Sequence, residues 1–240
     1  MSAPIRAMTY NIRKGKGPDG RSNIGMPSLA SAVLAHEPDL VLFQEVFHCA
    51  RTGLSQSGKL ARAMGLPGYY GANKFRSVGH HGNTTVTRLS VQEFDNHDIS
   101  TNRIERRGAL YLRLDLHGQP LHVLNVHLGL NRWQRKTQIR SVAEILRRVA
   151  RDQDPVLLAG DFNDWRGELD RPIAEELRLH NLFARHPPEQ VRTWHARRPV
   201  FNLDRIYVRH LRAERARRLD GEPWSELSDH LPLIADLWPT

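Results

Sequence analysis

The spacing of apolar and polar positions changes period repeatedly along the chain. Short apolar runs bounded by Gly, Pro, Asn and Asp read as strands over 5–12, 40–44, 84–87, 109–116, 121–127, 156–159, 205–208 and 231–237. Pro155 and Gly160 frame one of these runs. Three stretches carry a helical period: 27–36, halted before Pro38, then 56–64 and 132–151. In the last, Ile139, Val142, Ala143, Leu146, Val149 and Ala150 share one face, with Lys136, Arg140, Arg147 and Arg151 on another, which describes an amphipathic surface helix. Strands and helices mix without strict βαβ alternation, so the pattern predicts an α/β fold of two packed sheets flanked by helices. No repeat, low-complexity tract or Gly/Ser linker divides residues 1–240, and a single domain is expected.

The polar residues that interrupt this pattern sit at the ends of the apolar runs. Asn11 ends the first; Gln44 and Glu45 follow the second; Asn125 and His127 close Leu121-His-Val-Leu-Asn-Val-His; Asp161 and Asn163 follow Val156-Leu-Leu-Ala-Gly. Asp204 and Arg205 open a strand, and Asp229 and His230 precede another. Any one of these is ordinarily a turn or cap residue. Six clusters at strand ends instead describe one rim of a sheet, where loops carry chemistry on a rigid scaffold. Glu45, Asn11 and Asp229 offer the oxygen donors that a hard cation such as Mg²⁺ prefers. His230 with Asp204 has the makings of a His–carboxylate base pair, and His127, Asn163 and an arginine can hold phosphoryl oxygens.

Composition narrows the field. Hydrophobic content of 40% and charged content of 25% are ordinary for a globular chain. No apolar run reaches the roughly 18 residues of a membrane span, and the N-terminal residues lack a signal-peptide h-region, so a cytoplasmic protein is expected. The lone Cys49 rules out a disulfide framework and a CxxC metal site. The net charge of +9 suits an anionic partner. The excess is nearly all arginine, since only Lys14, Lys16, Lys59, Lys74 and Lys136 are lysines, and a GC-rich coding bias accounts for part of it.

Taken in order, Thr9-Tyr-Asn-Ile, Gln44-Glu-Val, Asn125-Val-His-Leu, Gly160-Asp-Phe-Asn-Asp, Leu203-Asp-Arg-Ile-Tyr and Ser228-Asp-His-Leu-Pro-Leu resemble the motif series of the endonuclease/exonuclease/phosphatase superfamily, which includes deoxyribonuclease I. The likeness runs from residue 9 to residue 233. It implies a four-layer α/β/β/α sandwich with the site at one rim of the two sheets. It also implies Mg²⁺ (or Mn²⁺) held by Asn11, Glu45 and Asp229, with Asp161 and Asn163 acting on nucleophile and phosphate and Asp204 with His230 as a dyad. His127 matches a second histidine that abasic-site endonucleases lack. Where deoxyribonuclease I-like members supply a Glu for that histidine, this chain reads Gly79-His-His-Gly-Asn-Thr-Thr. His80 and His81 there either belong to a surface loop or, His81 in particular, touch substrate phosphate or a second metal. Asn125 and either Arg106 or Arg107 are further phosphate contacts; spacing does not say which arginine faces inward, because neighbouring strand residues point opposite ways. The His-His-Gly-Asn stretch is similar to a bacterial subgroup often encoded beside cardiolipin synthases, a neighbourhood that points to lipid phosphodiesters.

The expected activity is hydrolysis of an anionic phosphoester. Nucleic acid is favoured by the arginine-dense stretch from Arg185 to Arg218. A phospholipid headgroup at a membrane, with Trp133, Trp165, Trp194 or Trp224 at the interface, and a small phosphomonoester remain the alternatives. A binding module without activity is disfavoured by the intact motif set. No obligate protein partner is implied, and a monomer is expected.

Overall fold

The computed structural model describes residues 3–49 and 55–240. Its elements run β1 (Ile5–Asn11), α1 (Met26–Leu34), β2 (Leu40–Cys49), α2 (Gln56–Met64), β3 (Gly68–Arg76), β4 (Gly79–Thr87), β5 (Val91–Asp98), β6 (Gly108–Leu116) and β7 (Gln119–His127). They continue with α3 (Arg132–Val149), β8 (Val156–Asp161), α4 (Asp170–Leu177), β9 (His180–Asn181), α5 (Pro188–Val191), β10 (Asp204–Arg209), β11 (Leu211–Arg218), α6 (Trp224–Leu227) and β12 (Leu233–Pro239).

The strands form two six-stranded sheets, ordered β11-β12-β1-β2-β4-β3 and β5-β6-β7-β8-β10-β9. Each sheet is built around one parallel pair, β1 with β2 and β7 with β8; the other pairings are antiparallel. Alternation along the central strands sorts side chains into three apolar layers. Ile5, Ala7, Leu40 and Leu42 of the first sheet meet Leu112, Val123, Leu157 and Ile206 of the second. On the outer face of the first sheet, Met8, Tyr10 and Phe43 pack under Leu29, Val33, Leu60 and Trp224 of α1, α2 and α6. Behind the second, Tyr111, Leu124 and Leu158 pack under Ile139, Val142 and Leu146 of α3 and Ile173 of α4. These layers make the two packed sheets flanked by helices that the apolar pattern predicts, in the four-layer α/β/β/α order that the resemblance implies. No helix among the described residues is long and apolar enough to cross a membrane.

Four strands fall outside the predicted set: β3, β5, β9 and β11. All four are sheet edges. An edge strand has one neighbour and tolerates charge, which protects it from pairing with other chains. β5 (VQEFDNHD) and β11 (LRAERARR) are largely solvent-facing and show little apolar alternation. β4 also begins five residues before the predicted 84–87, so His80 and His81 lie in a strand and not in a loop. Gly82 permits this: a Cβ there would stand 1.8 Å from the Gly71 carbonyl oxygen of β3.

Between the sheets the apolar layer gives way to amides near one rim. Gln44 Nε2 donates across to Asn125 Oδ1 at 2.8 Å, and Asn125 Nδ2 donates to the carbonyls of Phe43 (3.2 Å) and Thr84 (3.0 Å). These bonds tie the two sheets directly beneath the rim. Register then lines up the residues above them: Asn11 beside Gln44, His127 beside Asp161, and Asp161 beside Asp204.

Gly160 lies in the β7–β8 pairing, opposite Val126. Its φ is +146°, and a Cβ would fall 1.9 Å from the Val126 carbonyl oxygen. Gly160→Ala is therefore expected to destabilise the fold by roughly 1–3 kcal/mol, the usual cost of overpacking. The check is the urea midpoint, which should fall at unchanged slope; an unchanged midpoint would show that the backbone relaxes freely there.

Candidate active site

Local backbone geometry aims the polar groups into one cleft. The register of β2 against β4 shifts between Phe43 and Val46, and Glu45 sits in that irregularity with φ +55°. A bulge of this kind re-aims a side chain; Glu45 turns into the cleft. After β1 the chain enters a 3-10 turn, Arg13–Gly15, where Arg13 and Lys14 have φ of +46° and +60°. The turn brings both cations onto the acids: Lys14 Nζ lies 2.6 Å from Glu45 Oε2, and Arg13 Nε lies 3.3 Å from Asp229 Oδ2. Gln56 fixes the turn to β2, donating to the Lys14 carbonyl at 2.7 Å and accepting from the Phe47 amide at 2.8 Å.

Asp161, the last residue of β8, is the hub. Its Oδ2 accepts from Asn11 Nδ2 at 2.9 Å and its Oδ1 from the Asn163 amide at 2.9 Å. His127 Nε2 and His230 Nε2 approach the same Oδ2 at 3.5 and 3.8 Å. Asn163, at φ +48°, donates its side-chain amide to the Leu128 carbonyl at 2.9 Å. His230 Nδ1 meets Asp204 Oδ2 at 2.7 Å. Thr193 Oγ1 holds Asp204 in turn, accepting from the amides of Leu203 (3.3 Å) and Asp204 (3.2 Å).

Beneath this group lies a buried ion pair that explains Arg205 of the Leu-Asp-Arg motif. Arg205 reaches Asp164 Oδ2, Asp170 Oδ1 and the Tyr207 hydroxyl at 3.1, 3.1 and 3.0 Å, and donates to the Asp164 carbonyl at 3.1 Å. It thereby clamps the loop carrying Asp161 and Asn163 to the strand carrying Asp204.

Burial and charge set the protonation states. Burial, aided by the nearby Asp204 charge, raises Asp161 to about 7. Burial would lower His230, but the Asp204 carboxylate outweighs it and pushes the imidazole up to about 10. Burial holds His127 well below the usual imidazole range and, with the Lys14 charge, brings His81 down to about 4. For Glu45, burial acts upward, while the His127 ring and Lys14 act downward and bring it to about 2. Because buried His127 is neutral, the Lys14 ammonium and the His230 imidazolium are the lasting charges in that balance.

The cleft measures about 460 Å³. Glu45, His81, Arg107, His127, Asp161, Asn163, Asp229 and His230 line it, with Asn11 and Asp204 one bond behind. The Asn125 contact and the outward alternatives of the two residue pairs lie elsewhere. Asn125 is buried between the sheets, its amide committed to Gln44 and the Phe43 and Thr84 carbonyls. Arg106 is solvent-exposed ahead of β6 and outside the cleft, which Arg107 enters. His80, on the opposite face of β4 from His81, stacks on His48 (ring centroids 4.6 Å apart) and bonds the Tyr70 hydroxyl at 2.8 Å. Lys14, Lys74, Trp165 and Trp194 join the site without having been singled out as site residues. A signal existed for two of them: in a chain whose cations are nearly all arginine, Lys14 and Lys74 are among five lysines.

One oxygen-rich place suits a cation. Glu45 and Asp229 present carboxylates to the cleft, and Asn11 Oδ1, which accepts the Arg13 amide at 3.0 Å, keeps a second lone pair. These are hard donors with no thiolate among them, and ionised Glu45 fits a hard divalent ion. One ligand atom from each of Asp161, Asp204 and His230 also lies within 4.8 Å of the others, but the protonated His230 ring has no lone pair to offer there.

Comparison with known proteins gives the family and the fold. The sequence profile of the Endonuclease/Exonuclease/phosphatase family matches residues 8–230. The chain is 35% identical over 244 residues to the uncharacterized protein YbhP of Escherichia coli K12, covering 97% of this chain and 96% of YbhP. Among solved structures, an endonuclease/exonuclease/phosphatase from Beutenbergia cavernae superposes with a TM-score of 0.84 at 19% identity, covering 99% of this chain and 72% of that one. D. rerio TDP2 complexed with a single-strand DNA product gives 0.77 at 17% identity, covering 99% and 100%.

The His230–Asp204 pair has a consequence for stability. A histidine raised from the usual 6.5 to about 10 contributes stability that is complete below pH 6.5 and is lost as pH rises through 10. Metal-free protein in EDTA should lose stability between pH 7 and 10, and His230→Asn should flatten that decline. Parallel declines in the two proteins, measured by urea midpoints, would show that His230 is not the group responsible.

Proposed function

The chain belongs to the Endonuclease/Exonuclease/phosphatase family of phosphoester hydrolases, and on that premise we propose that it is a Mg²⁺- or Mn²⁺-dependent phosphodiesterase acting on nucleic acid. The observation that supports this most is the convergence of Asn11, His127 and His230 on one oxygen of Asp161, in a cleft also lined by Glu45, Lys14 and Arg107.

In this reading Asp161 takes a proton from the attacking water. Its raised affinity for protons and its fixed orientation, set by Asn11 and the Asn163 amide, suit that task. His230, already protonated at neutral pH, donates its Nε2–H towards a phosphoryl oxygen; Asp204 holds the ring and stabilises the cation. This exchanges the base role that its sequence context suggests for a donor role. Arg107, Lys14 and Lys74 also line the cleft, Arg107 paired with Glu105 at 2.7 Å and Lys14 with Glu45. A divalent ion held by Glu45, Asp229 and Asn11 would supply charge neutralisation at the phosphoryl and leaving oxygens. Nucleic acid is favoured because the cleft combines cationic side chains with exposed aromatic surface at Trp165. The single-strand DNA product bound to the structurally similar TDP2 is consistent with that choice.

The test is hydrolysis of plasmid DNA, single-stranded RNA, cardiolipin-containing vesicles and a phosphomonoester panel, each with Mg²⁺ and with Mn²⁺. Metal-dependent cleavage of nucleic acid is expected, with Glu45→Gln close to the blank and His230→Ala slower by about 10²–10⁴-fold. Turnover confined to vesicles or monoesters would overturn the substrate assignment. Near-normal Glu45→Gln activity at saturating metal would overturn the ligand assignment.

A further inference from the structure

Beyond the catalytic cleft lies a second groove of about 490 Å³. The two share Leu130 and Trp165, which form the ridge between them. The groove's far side carries Arg132 and Arg166, and buried Arg135 lies at its floor. Resting on the nuclease reading above, we propose that this groove is a second substrate compartment, holding the nucleotide next to the scissile phosphate: its base lies on Trp165 and its phosphate meets Arg132 and Arg166.

The ridge is apolar and open to solvent, with Leu130 59% and Trp165 38% exposed. Trp165 is nonetheless braced. Trp194 and Phe201 meet its ring edge-on, with centroids 5.7 and 5.0 Å away, so its open surface is presented in a fixed orientation. A rigid aromatic plane beside guanidinium groups is the arrangement that holds single-stranded nucleic acid, where base stacking is sequence-tolerant and the backbone follows positive charge. Arg135 donates to the Leu130 carbonyl at 2.6 Å and lies 3.9 Å from Asp164, which fixes the ridge to the loop bearing Asp161 and Asn163. Arg132 lies 2.8 Å from Glu168, which also lines the groove; the arginine side chain is 61% exposed and the glutamate 23%, so the guanidinium keeps its outer face open to a phosphate.

Shape separates this occupant from others. A small phosphomonoester fills the cleft and has no group for a second compartment. The groove volume lies within the roughly 300–1,000 Å³ of small-ligand sites, enough for one nucleotide unit.

The test compares an octanucleotide with a dinucleotide, which lacks the second phosphate, on the wild type and on Arg132→Gln/Arg166→Gln. The wild type should show a KM about tenfold lower for the octanucleotide, the scale of the charge-assisted phosphate contact that the dinucleotide lacks. The double variant should lose that advantage and keep its dinucleotide KM and kcat; thermal melts check its folding. Retention of the length advantage would overturn the second compartment while leaving the nuclease reading intact. Binding of a labelled octanucleotide is read separately by fluorescence anisotropy in the Glu45→Gln background, with and without the two arginine changes. No hydrolysis and no binding of any strand would overturn the nuclease reading and this inference together. Arginine-dependent binding to phosphatidylglycerol vesicles without strand binding would assign the groove to a lipid headgroup instead.

Discussion

The cost of burying carboxylates governs the rim of this protein. Asp161, Asp164 and Asp204 are each almost wholly removed from water, and a buried charge is tolerated only when it is paired and hydrogen-bonded. Each acid has a different answer. Arg205 neutralises Asp164. Asp204 is neutralised by the proton it helps His230 to keep. Asp161 is left with amides and distant imidazoles, so it holds a proton more readily than an ordinary carboxyl. The division separates structural support from chemistry: a full ion pair under the loop gives a fixed scaffold, and the incompletely neutralised acid above it is the one free to exchange protons.

That arrangement depends on both sheets being held in register to within a hydrogen bond. Asn11 belongs to the first sheet and Asp161 to the second, yet they meet at 2.9 Å. The Gln44–Asn125 bond sets that distance from below, together with Asn83, which donates to the carbonyls of Asn125 and Gly108. A purely apolar interface would allow the sheets to slide, because dispersion contacts are non-directional; buried amides with all partners satisfied do not. Asn125 thus serves the site by locating it without touching what it binds.

The fold was legible wherever strands are buried on both faces, since continuous apolar runs survive any choice of register. Edge strands β3, β5, β9 and β11 were not, because a solvent-facing strand carries no such run. At the site, strand-end position identified the right clusters but not depth or face. Asn125 and His127 share a face of β7, and two residues of rise, about 6–7 Å, separate a buried inter-sheet amide from a cleft histidine. His80 and His81 differ by one residue and so lie on opposite faces, a distinction that requires knowing that the segment is a strand at all. Lys14 and Trp165 depend on turns whose direction no periodicity encodes.

The turns themselves show where the fold concentrates its strain. Among the described residues eight non-glycine positions have positive φ; Lys14, Glu45 and Asn163 line the cleft and Arg13 pairs with its Asp229. Left-handed backbone at such residues costs on the order of 1–3 kcal/mol each and persists only where neighbouring bonds enforce it. Here they do: Gln56 pins the Lys14 carbonyl, and the Asn163 amide and side chain are both bonded, to Asp161 and to Leu128. The strain is therefore what points Lys14 at Glu45 and holds Asn163 against Asp161. Relaxing these residues to extended backbone would lower the local energy and scatter the charges, so the cleft exists as a site because the sheets below it are rigid enough to keep the turns bent.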